Sequence, residues 1–256
     1  MRHDLFESCL QSKDTSYSAA QVFAKKIARK NATNLVGCNV DEDDAVNELM
    51  QTLPQIQEFC NSYFKFDKRA SSGSAIKGIC EQTNTSIWLE ASDVYATEEG
   101  CVVPEMGMKG NIDATLAVST WNVGENNNNW QRSVGPVGDP LNAIMPLELK
   151  TGHNQNFQFS HGAQLSLYIL MMKVRYGSAL VNPPIATENR SLGAASGGVL
   201  LYLNHKGLSP MHLSPTMPEM RSLMGHRNTV ATYVKRASEV RGVIVHTATK
   251  EKSERK

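Results

Sequence analysis

The chain has 256 residues, of which 41% are hydrophobic and 20% charged, and it carries 26 Lys and Arg against 25 Asp and Glu. This length and apolar content suit one substantial domain with a buried core and exclude a disordered chain. No apolar run reaches the ~20 residues that a membrane helix needs, so we expect no membrane association. The net charge of +1 excludes an overall basic body of the kind that indicates nucleic-acid binding by composition.

Helical patterns occupy the first quarter of the chain. Residues 3–13 and 17–30 form two of them, and residues 43–64 form a third, with apolar side chains at spacings of three and four. Pro54 lies inside the third pattern, where its ring and its missing N–H predict a kink or a split.

The segments that follow are rich in β-branched and alternating apolar residues, which is typical of strands. Strands are predicted over 86–95, 110–120, 144–150 and 197–204, and helices over 160–175 and 217–238. Helices followed by strands, and then by strands and helices in alternation, predict an α/β fold with a mixed central sheet flanked by helices.

Two segments between these elements lack any periodicity. Residues 122–143 contain a run of asparagines, and residues 186–198 are small and polar, so both are expected to be flexible loops. We assign residues 1–240 to one core and expect residues 241–256 to be a disordered tail.

Charged residues recur on two of the predicted strands. Glu148 and Lys150 are two positions apart and therefore share one face of a strand, while Leu149 points into the core. Asp113 lies on a neighbouring strand. An Asp, a Glu and a Lys at one end of a sheet can hold a divalent metal, and the Lys can offset charge on a phosphate. A surface salt bridge of Lys150 with Glu148 or Asp113 is the alternative explanation.

The helix after Lys150 carries three polar residues on one face. His161, Gln164 and Tyr168 follow one another at i, i+3 and i+7, and Leu165 lies on the other side for the core. The polar face would line the same pocket as the charged strand residues. Ordinary exposed positions are the alternative for His161 and Gln164.

Five motifs in this order resemble a known family. They are HDLFESCL (3–10), GMKGNIDATL (107–116), PLELKTG (146–152), HGAQLSLY (161–168) and GGVLLYLN (197–204). Together they resemble the PD-(D/E)XK nuclease superfamily in its RecB-like branch, and more closely the nuclease domain of the eukaryotic ATP-dependent replication helicase/nuclease that processes Okazaki flaps. The resemblance runs from about His3 to Arg236 and implies a restriction-endonuclease-like PD-(D/E)XK core.

The resemblance also implies roles for particular residues. His3, Asp113 and Glu148 would bind metal together with the backbone carbonyl of Leu149, and Asp113, Glu148 and Lys150 would be catalytic. The cofactor would be Mg²⁺ or Mn²⁺, of which Mn²⁺ suits the imidazole of His3 better.

Further along the same motifs, Gln164, Tyr168 and His161 would support the site and touch DNA. Gly162 departs from the pattern, because the family often has Arg there, and this puts one phosphate contact in doubt. The implied reaction is metal-dependent hydrolysis of phosphodiester bonds in single-stranded DNA, for flap processing in replication and end resection in repair.

Basic residues that could contact the DNA backbone occur in three groups. They are Lys25, Lys26, Arg29 and Lys30; Lys65, Lys68 and Arg69; and Arg221, Arg227, Lys235 and Arg236. A solvated surface is the alternative for each group. The aromatic residues Tyr63, Phe64, Trp88 and Tyr95 are expected in the core instead of on a DNA-stacking surface.

The resembling family holds a [4Fe–4S] cluster through four cysteines, one before the helix with the metal-binding His and three after the last core helix. The five cysteines here stand at positions 9, 38, 60, 80 and 101, none of which matches, so we expect no cluster in this chain. No GxxxxGK[ST] phosphate loop is present, so we expect the helicase domain to be absent.

The expected partners are single-stranded or flap DNA and a single-strand-binding protein, with a monomer as the expected state. Met1 is followed by Arg2 and His3 instead of an apolar segment, so we expect an intracellular protein, in the nucleus by resemblance. Two alternatives stay open. One is a catalytically silent nucleic-acid-binding or scaffold domain, and the other is an unrelated α/β hydrolase in which Asp113 and Glu148 lie far apart.

Overall fold

The computed structural model divides the chain into two units, Met1–Ser214 and Pro215–Lys256. The residues that the structure describes are 1–65, 73–79, 86–123, 136–152, 156–178, 193–204 and 207–253. The described part of the second unit contains one long helix, α7 (Met217–Ser253). Among the described residues, none of the helices combines the length and the apolar character that crossing a membrane requires.

The first unit begins with helices and continues with strands. Its helices are α1 (Arg2–Ser12), α2 (Tyr17–Lys30), α3 (Ala32–Gly37), α4 (Glu42–Met50), α5 (Leu53–Tyr63) and α6 (Phe159–Tyr176). Its strands are β1 (Ser74–Ile76), β2 (Ile87–Val103), β3 (Met108–Val123), β4 (Pro136–Lys150), β5 (Gly198–Asn204) and β6 (Gly207–Leu213).

The third predicted helix is split at its proline, as expected. Helix α4 ends at Met50 and α5 begins at Leu53, so Pro54 falls in the first turn of α5. An N–H in the first turn has no partner inside the helix, and the missing N–H of Pro54 therefore costs no hydrogen bond there.

Within the described residues, the strands form one sheet in the order β1-β2-β3-β4-β5-β6. Neighbouring strands are antiparallel except for β4 and β5, which are parallel. A parallel pair needs a crossover connection, and α6 lies in the connection between β4 and β5. The predicted α/β fold, with a mixed sheet flanked by helices, is confirmed.

Apolar side chains pack on both faces of this sheet. Phe6 of α1 and Phe59 of α5 belong to a buried cluster that includes Leu147 and Leu149 of β4, as the alternation along β4 predicts. Leu165 of α6 belongs to a separate buried cluster with alternate residues of β5. Fully burying one such side chain stabilises the fold by about 1.5–3 kcal/mol, so the two clusters fix α1 and α6 relative to the end of β4.

The predicted loop over residues 122–143 is shorter than expected. Strand β3 continues to Val123 and β4 begins at Pro136, because backbone pairing of Val123 with Pro136 extends the hairpin into the polar segment. The asparagine run lies outside the described residues.

The predicted loop over residues 186–198 is also partly ordered in its described portion. Ala194 and Ala195 are buried, and the N–H of Ala195 donates to the carbonyl of Ile144 on β4. Residues before 193 in this segment lie outside the described part. Small side chains gave no periodicity in the sequence, but they allow the backbone to approach β4 closely.

Within residues 241–256, which were expected to be a disordered tail, α7 continues as a helix to Ser253, and residues 254–256 lie outside the described residues. Among the described residues, four short elements were not predicted: α3, β1, β6 and a 3₁₀ helix over Pro104–Met106. Each has seven residues or fewer, so periodicity had little to act on.

Candidate functional site

The neighbouring strands β3 and β4 bring Asp113 against the end of β4. The backbone N–H of Leu149 donates to Oδ2 of Asp113 at 2.6 Å, next to the cross-strand pair Ala114–Leu147. Asp113 therefore lies beside Glu148, although the two are far apart in sequence. The alternative of an unrelated hydrolase required these carboxylates to be separated, and it is not favoured.

Glu148 and Lys150 share one face of β4, as their spacing predicts. Nζ of Lys150 lies 2.5 Å from Oε1 of Glu148. The expected alternative was a surface salt bridge, but the side chain of Glu148 is only 2% exposed. The second carboxylate oxygen, Oε2, is buried and has no hydrogen-bond partner among the residues that the structure describes.

Burial has a marked effect on the acidity of Glu148. Loss of hydration and the nearby charge of Asp113 raise the pKa of Glu148 to about 7, while Lys150 and His3 act in the opposite direction. An additional cation beside Oε2 would favour the ionised carboxylate.

Helix α6 adds two of the predicted polar side chains to this group. Nζ of Lys150 donates to Oε1 of Gln164 at 3.1 Å, and Nε2 of Gln164 donates to the hydroxyl of Tyr168 at 3.1 Å. The ring of Tyr168 lies directly over Gly110 of β3, where an added Cβ would be 2.7 Å from Cε1 of the ring. Absence of a side chain at Gly110 therefore makes room for Tyr168.

The third polar residue of α6 makes a different contact. Nδ1 of His161 lies 2.9 Å from the hydroxyl of Tyr202 on β5. Burial and, to a smaller extent, the positive charge of Lys150 lower the pKa of His161. The structure thus places His161 near Lys150, without a direct bond to Gln164 or Tyr168 in the described contacts.

Helix α1 brings His3 to Asp113. Nε2 of His3 lies 3.0 Å from Oδ2 of Asp113, and Nδ1 lies 2.8 Å from Oε1 of Glu7. Hydrogen bonds to Asp113 and then to Glu7 raise the pKa of His3 to about 10, against the effect of burial. His3 thus links α1 to the carboxylate group of the sheet.

Sequence reasoning missed two acidic residues of this group, Glu7 and Glu98. One atom from each of His3, Glu7 and Glu98 lies within 4.8 Å of the others, a spacing that suits one metal ion. Burial, and then the negative charge of Glu7, raise the pKa of Glu98.

The two missed residues differ in how visible they were in the sequence. Glu7 follows His3 by four positions on a predicted helix, which is a usable signal. On β2, Thr97 pairs with Ala114 of β3, and two positions later Glu99 pairs with Ile112. Glu98, between these two pairs, therefore lies opposite Asp113. Two register shifts earlier in β2 hid this alignment from any reading of the sequence.

The side chains at this site fit a hard divalent cation. Imidazole nitrogen and carboxylate oxygen are ligands that Mn²⁺ and Mg²⁺ accept. The buried, unpartnered Oε2 of Glu148 is a further sign of fit, because an isolated buried carboxylate oxygen is costly without a cation or a donor.

The cysteines show no comparable arrangement among the described residues, where Cys9, Cys60 and Cys101 are buried and Cys38 is exposed. Burial raises the thiol pKa of Cys9 to about 11 and that of Cys60 to about 12. Burial therefore disfavours the thiolate form that binds a metal. Cys80 lies outside the described residues.

The candidate DNA-contacting groups are placed on surfaces. Lys25, Lys26, Arg29 and Lys30 of α2 are exposed, and Arg29 pairs with Glu42 at 3.0 Å. Lys65 pairs with Glu90 at 3.3 Å. Lys68 and Arg69 lie outside the described residues. The late basic residues, Arg221, Arg227, Lys235 and Arg236, belong to α7 of the second unit.

Of the aromatic residues expected in the core, Tyr63 and Phe64 are buried. Trp88 is half-buried. The expectation is wrong for Tyr95, which is 53% exposed and packs edge-on against Tyr176 at the surface.

The geometry defines an α/β protein with a group of carboxylates, a histidine and a lysine gathered at the end of a mixed sheet. Comparison with known proteins adds that residues 1–118 match the family model of DNA replication factor Dna2. The N-terminal region of the chain is therefore Dna2-like.

Curated relatives are similar to this chain over a longer part of its sequence. The DNA replication ATP-dependent helicase/nuclease JHS1 of Arabidopsis thaliana is 28% identical over 178 residues, which are 69% of this chain and 12% of that protein. The DNA replication ATP-dependent helicase/nuclease dna2 of Schizosaccharomyces pombe is 25% identical over 231 residues, 90% of this chain and 13% of that protein. The chain thus spans about an eighth of the length of these relatives.

Proposed function

We propose that the chain is a metal-dependent nuclease with a RecB-like PD-(D/E)XK core, which hydrolyses phosphodiester bonds of single-stranded DNA. The observation that supports this most is the convergence of Asp113, Glu148 and Lys150 beside His3. The names of the relatives, which are helicase/nucleases of DNA replication, support the same reaction class.

His3, Asp113 and Glu148 would hold a Mg²⁺ or Mn²⁺ ion together with the carbonyl of Leu149. When bound, the ion supplies a lowered pKa for a water ligand and polarises the scissile phosphate. Glu7 orients the imidazole of His3 through its charge, because its Oε1 lies 2.8 Å from Nδ1 while Nε2 faces Asp113.

Lys150 supplies the positive charge that the chain itself brings to the phosphate. Its ammonium is held between Glu148 and Gln164, at 2.5 and 3.1 Å, and so it is already oriented before a substrate arrives. A preoriented cation stabilises developing negative charge without the cost of reorganisation. Tyr168 supports Gln164 and keeps Lys150 in place through it.

The substrate, partners and location belong to the same proposal. The exposed lysines of α2 are candidate contacts for the backbone of a flap or another single strand. A single-strand-binding protein is the expected partner, the nucleus the expected location and a monomer the expected state. A [4Fe–4S] cluster is not expected in this chain.

The experiment is a cleavage assay on 5′-tailed single-stranded DNA with Mg²⁺ or Mn²⁺. Wild type is compared with Asp113→Ala and Lys150→Ala. Asp93→Ala and Lys13→Ala are matched controls, because Lys13 and Asp93 form an exposed ion pair elsewhere on the surface. We expect metal-dependent cleavage in wild type and both controls, and a loss of at least about 100-fold in the two site variants.

Cleavage that survives both site substitutions would contradict the proposal. Intact binding of DNA without any cleavage in wild type would instead favour the catalytically silent nucleic-acid-binding domain.

A further inference from the structure

Two exposed phenylalanines stand immediately before and at the start of α6. Phe157 is 38% exposed and Phe159 is 80% exposed. Gln158 between them has an extended backbone with φ −115° and ψ 132°, so the side chains on either side of it leave the chain in similar directions. Exposing two aromatic rings this close together forgoes the stabilisation of about 1.5–3 kcal/mol that burying each would give.

The segment carrying these rings is held by the sheet. The N–H of Gln158 donates to the buried hydroxyl of Tyr202 at 3.1 Å, and the same hydroxyl lies 2.9 Å from Nδ1 of His161. The carbonyl of Gln158 accepts from the N–H groups of His161 and Gly162. The backbone between the rings is therefore fixed before any ligand binds.

The ring of Phe157 is positioned by a missing side chain. An added Cβ at Gly162 would be 2.7 Å from Cζ of Phe157, so the ring lies against the helix where a side chain would otherwise stand. The ring of Phe157 is therefore held against α6 and is still partly exposed to solvent.

The same contacts link the backbone between the rings to the candidate active site. Tyr202, which holds Gln158, pairs with Lys150 across the parallel ladder of β4 and β5. The backbone between the rings is therefore one hydrogen bond from Tyr202, the ladder neighbour of Lys150. The first turn of α6 has no acidic residue that would repel a phosphate.

We propose that Phe157 and Phe159 form a stacking surface for an unpaired base of a single-stranded DNA whose phosphate is held at Lys150. This inference rests on the proposed function, and it names the contact through which the site would prefer single strands. Bases in a duplex are stacked on one another, whereas an unpaired base offers its face to an aromatic ring, and every base has such a face. The Lys150 ammonium suits the phosphate of a nucleotide, and the apolar rings suit its base.

The test measures binding of a fluorescein-labelled single-stranded oligonucleotide in EDTA, where cleavage cannot interfere. Wild type is compared with the double variant Phe157→Ala/Phe159→Ala and with Phe157→Leu/Phe159→Leu, which keeps apolar volume without a ring. Tyr17→Ala is the matched control, because Tyr17 is an exposed aromatic residue on α2.

We expect the Ala pair to raise the Kd for single strands between about 5-fold and about 150-fold, the range for one stacked base. The Leu pair should also weaken binding, and Tyr17→Ala should leave the Kd within about twofold. Gly162→Ala should weaken binding as well, since its Cβ displaces the ring of Phe157. An oligonucleotide with abasic sites should show a smaller difference between wild type and the Ala pair.

A Kd for the Ala and Leu pairs that equals that of wild type would overturn the inference, as would an equal effect of Tyr17→Ala. The outcome is independent of catalysis. Weakened binding of the Ala and Leu pairs in EDTA supports the stacking surface even if Mg²⁺ and Mn²⁺ give no cleavage. Cleavage by wild type with unchanged binding of these variants would support the proposed nuclease and contradict the stacking surface.

Discussion

Oδ2 of Asp113 accepts the backbone N–H of Leu149 at 2.6 Å. The same oxygen lies 3.0 Å from Nε2 of His3. One carboxylate therefore joins β3, β4 and α1, and it has both a structural contact and a position suited to a metal ligand. Substitutions that keep the acceptor but remove the charge separate these two roles.

Asp113→Asn should abolish metal-dependent cleavage while largely preserving stability, because the amide oxygen can still accept from Leu149. Asp113→Ala should lower the free energy of unfolding by a further ~1–3 kcal/mol, since the N–H of Leu149 loses its acceptor. Urea unfolding without metal measures the difference between the two variants. Equal stability of the Asn and Ala variants would contradict the structural role of the carboxylate.

Gln164→Ala should reduce kcat about tenfold or more and leave KM nearly unchanged, because the residue fixes Lys150 by a hydrogen bond to a charged group. Tyr168→Phe should act in the same direction but less strongly, since it removes only the acceptor for Gln164. Single-turnover cleavage measures both. Gln11→Ala, which alters an exposed amide on α1, is the control and should match wild type.

Gly110→Ala should lower the free energy of unfolding by about 1–3 kcal/mol, because the new Cβ would meet the ring of Tyr168 at 2.7 Å. Gly100→Ala is the control, since its Cβ would lie at an ordinary contact distance of 3.8 Å from Oδ1 of Asn111. Adding Tyr168→Ala to Gly110→Ala should give less than the sum of the two separate losses. A Gly110→Ala protein as stable as wild type would contradict the close packing.

His212 on β6 should make the fold less stable in mild acid. Burial lowers the pKa of His212 from 6.5 to about 4. Between pH 6.5 and pH 4, His212 therefore binds a proton in the unfolded chain but not in the folded chain. The free energy of unfolding should therefore fall as the pH drops from 6.5 towards 4, with about 2 kcal/mol lost at pH 5 from this residue.

The measurement is urea unfolding of wild type and His212→Leu at pH 7.5 and pH 5. The difference between the two proteins isolates this residue from the other titrating groups. The variant should lose less stability than wild type between the two pH values. A parallel loss in both proteins would show that another group is responsible.

Much of the fold follows from local pattern. Apolar periodicity identified α1, α2 and α6, and Pro54 marked the boundary between α4 and α5. Strand ends were less predictable. Strands β3 and β4 extend into a polar segment because their backbones pair there, which the side-chain pattern does not indicate. The helix predicted over 217–238 continues to Ser253, although its apolar pattern weakens before that residue.

For the candidate site, the sequence by itself determined which residue types could cooperate. The spacing of Glu148 and Lys150 fixed a shared face, and the period of α6 placed Gln164 and Tyr168 together. Only the tertiary structure decided that Glu7 and Glu98 join His3, that His161 turns to Tyr202, and that the ring of Phe157 stands against Gly162. Local periodicity fixes direction within one element, whereas these contacts depend on strand register, bulges and packing between elements distant in sequence.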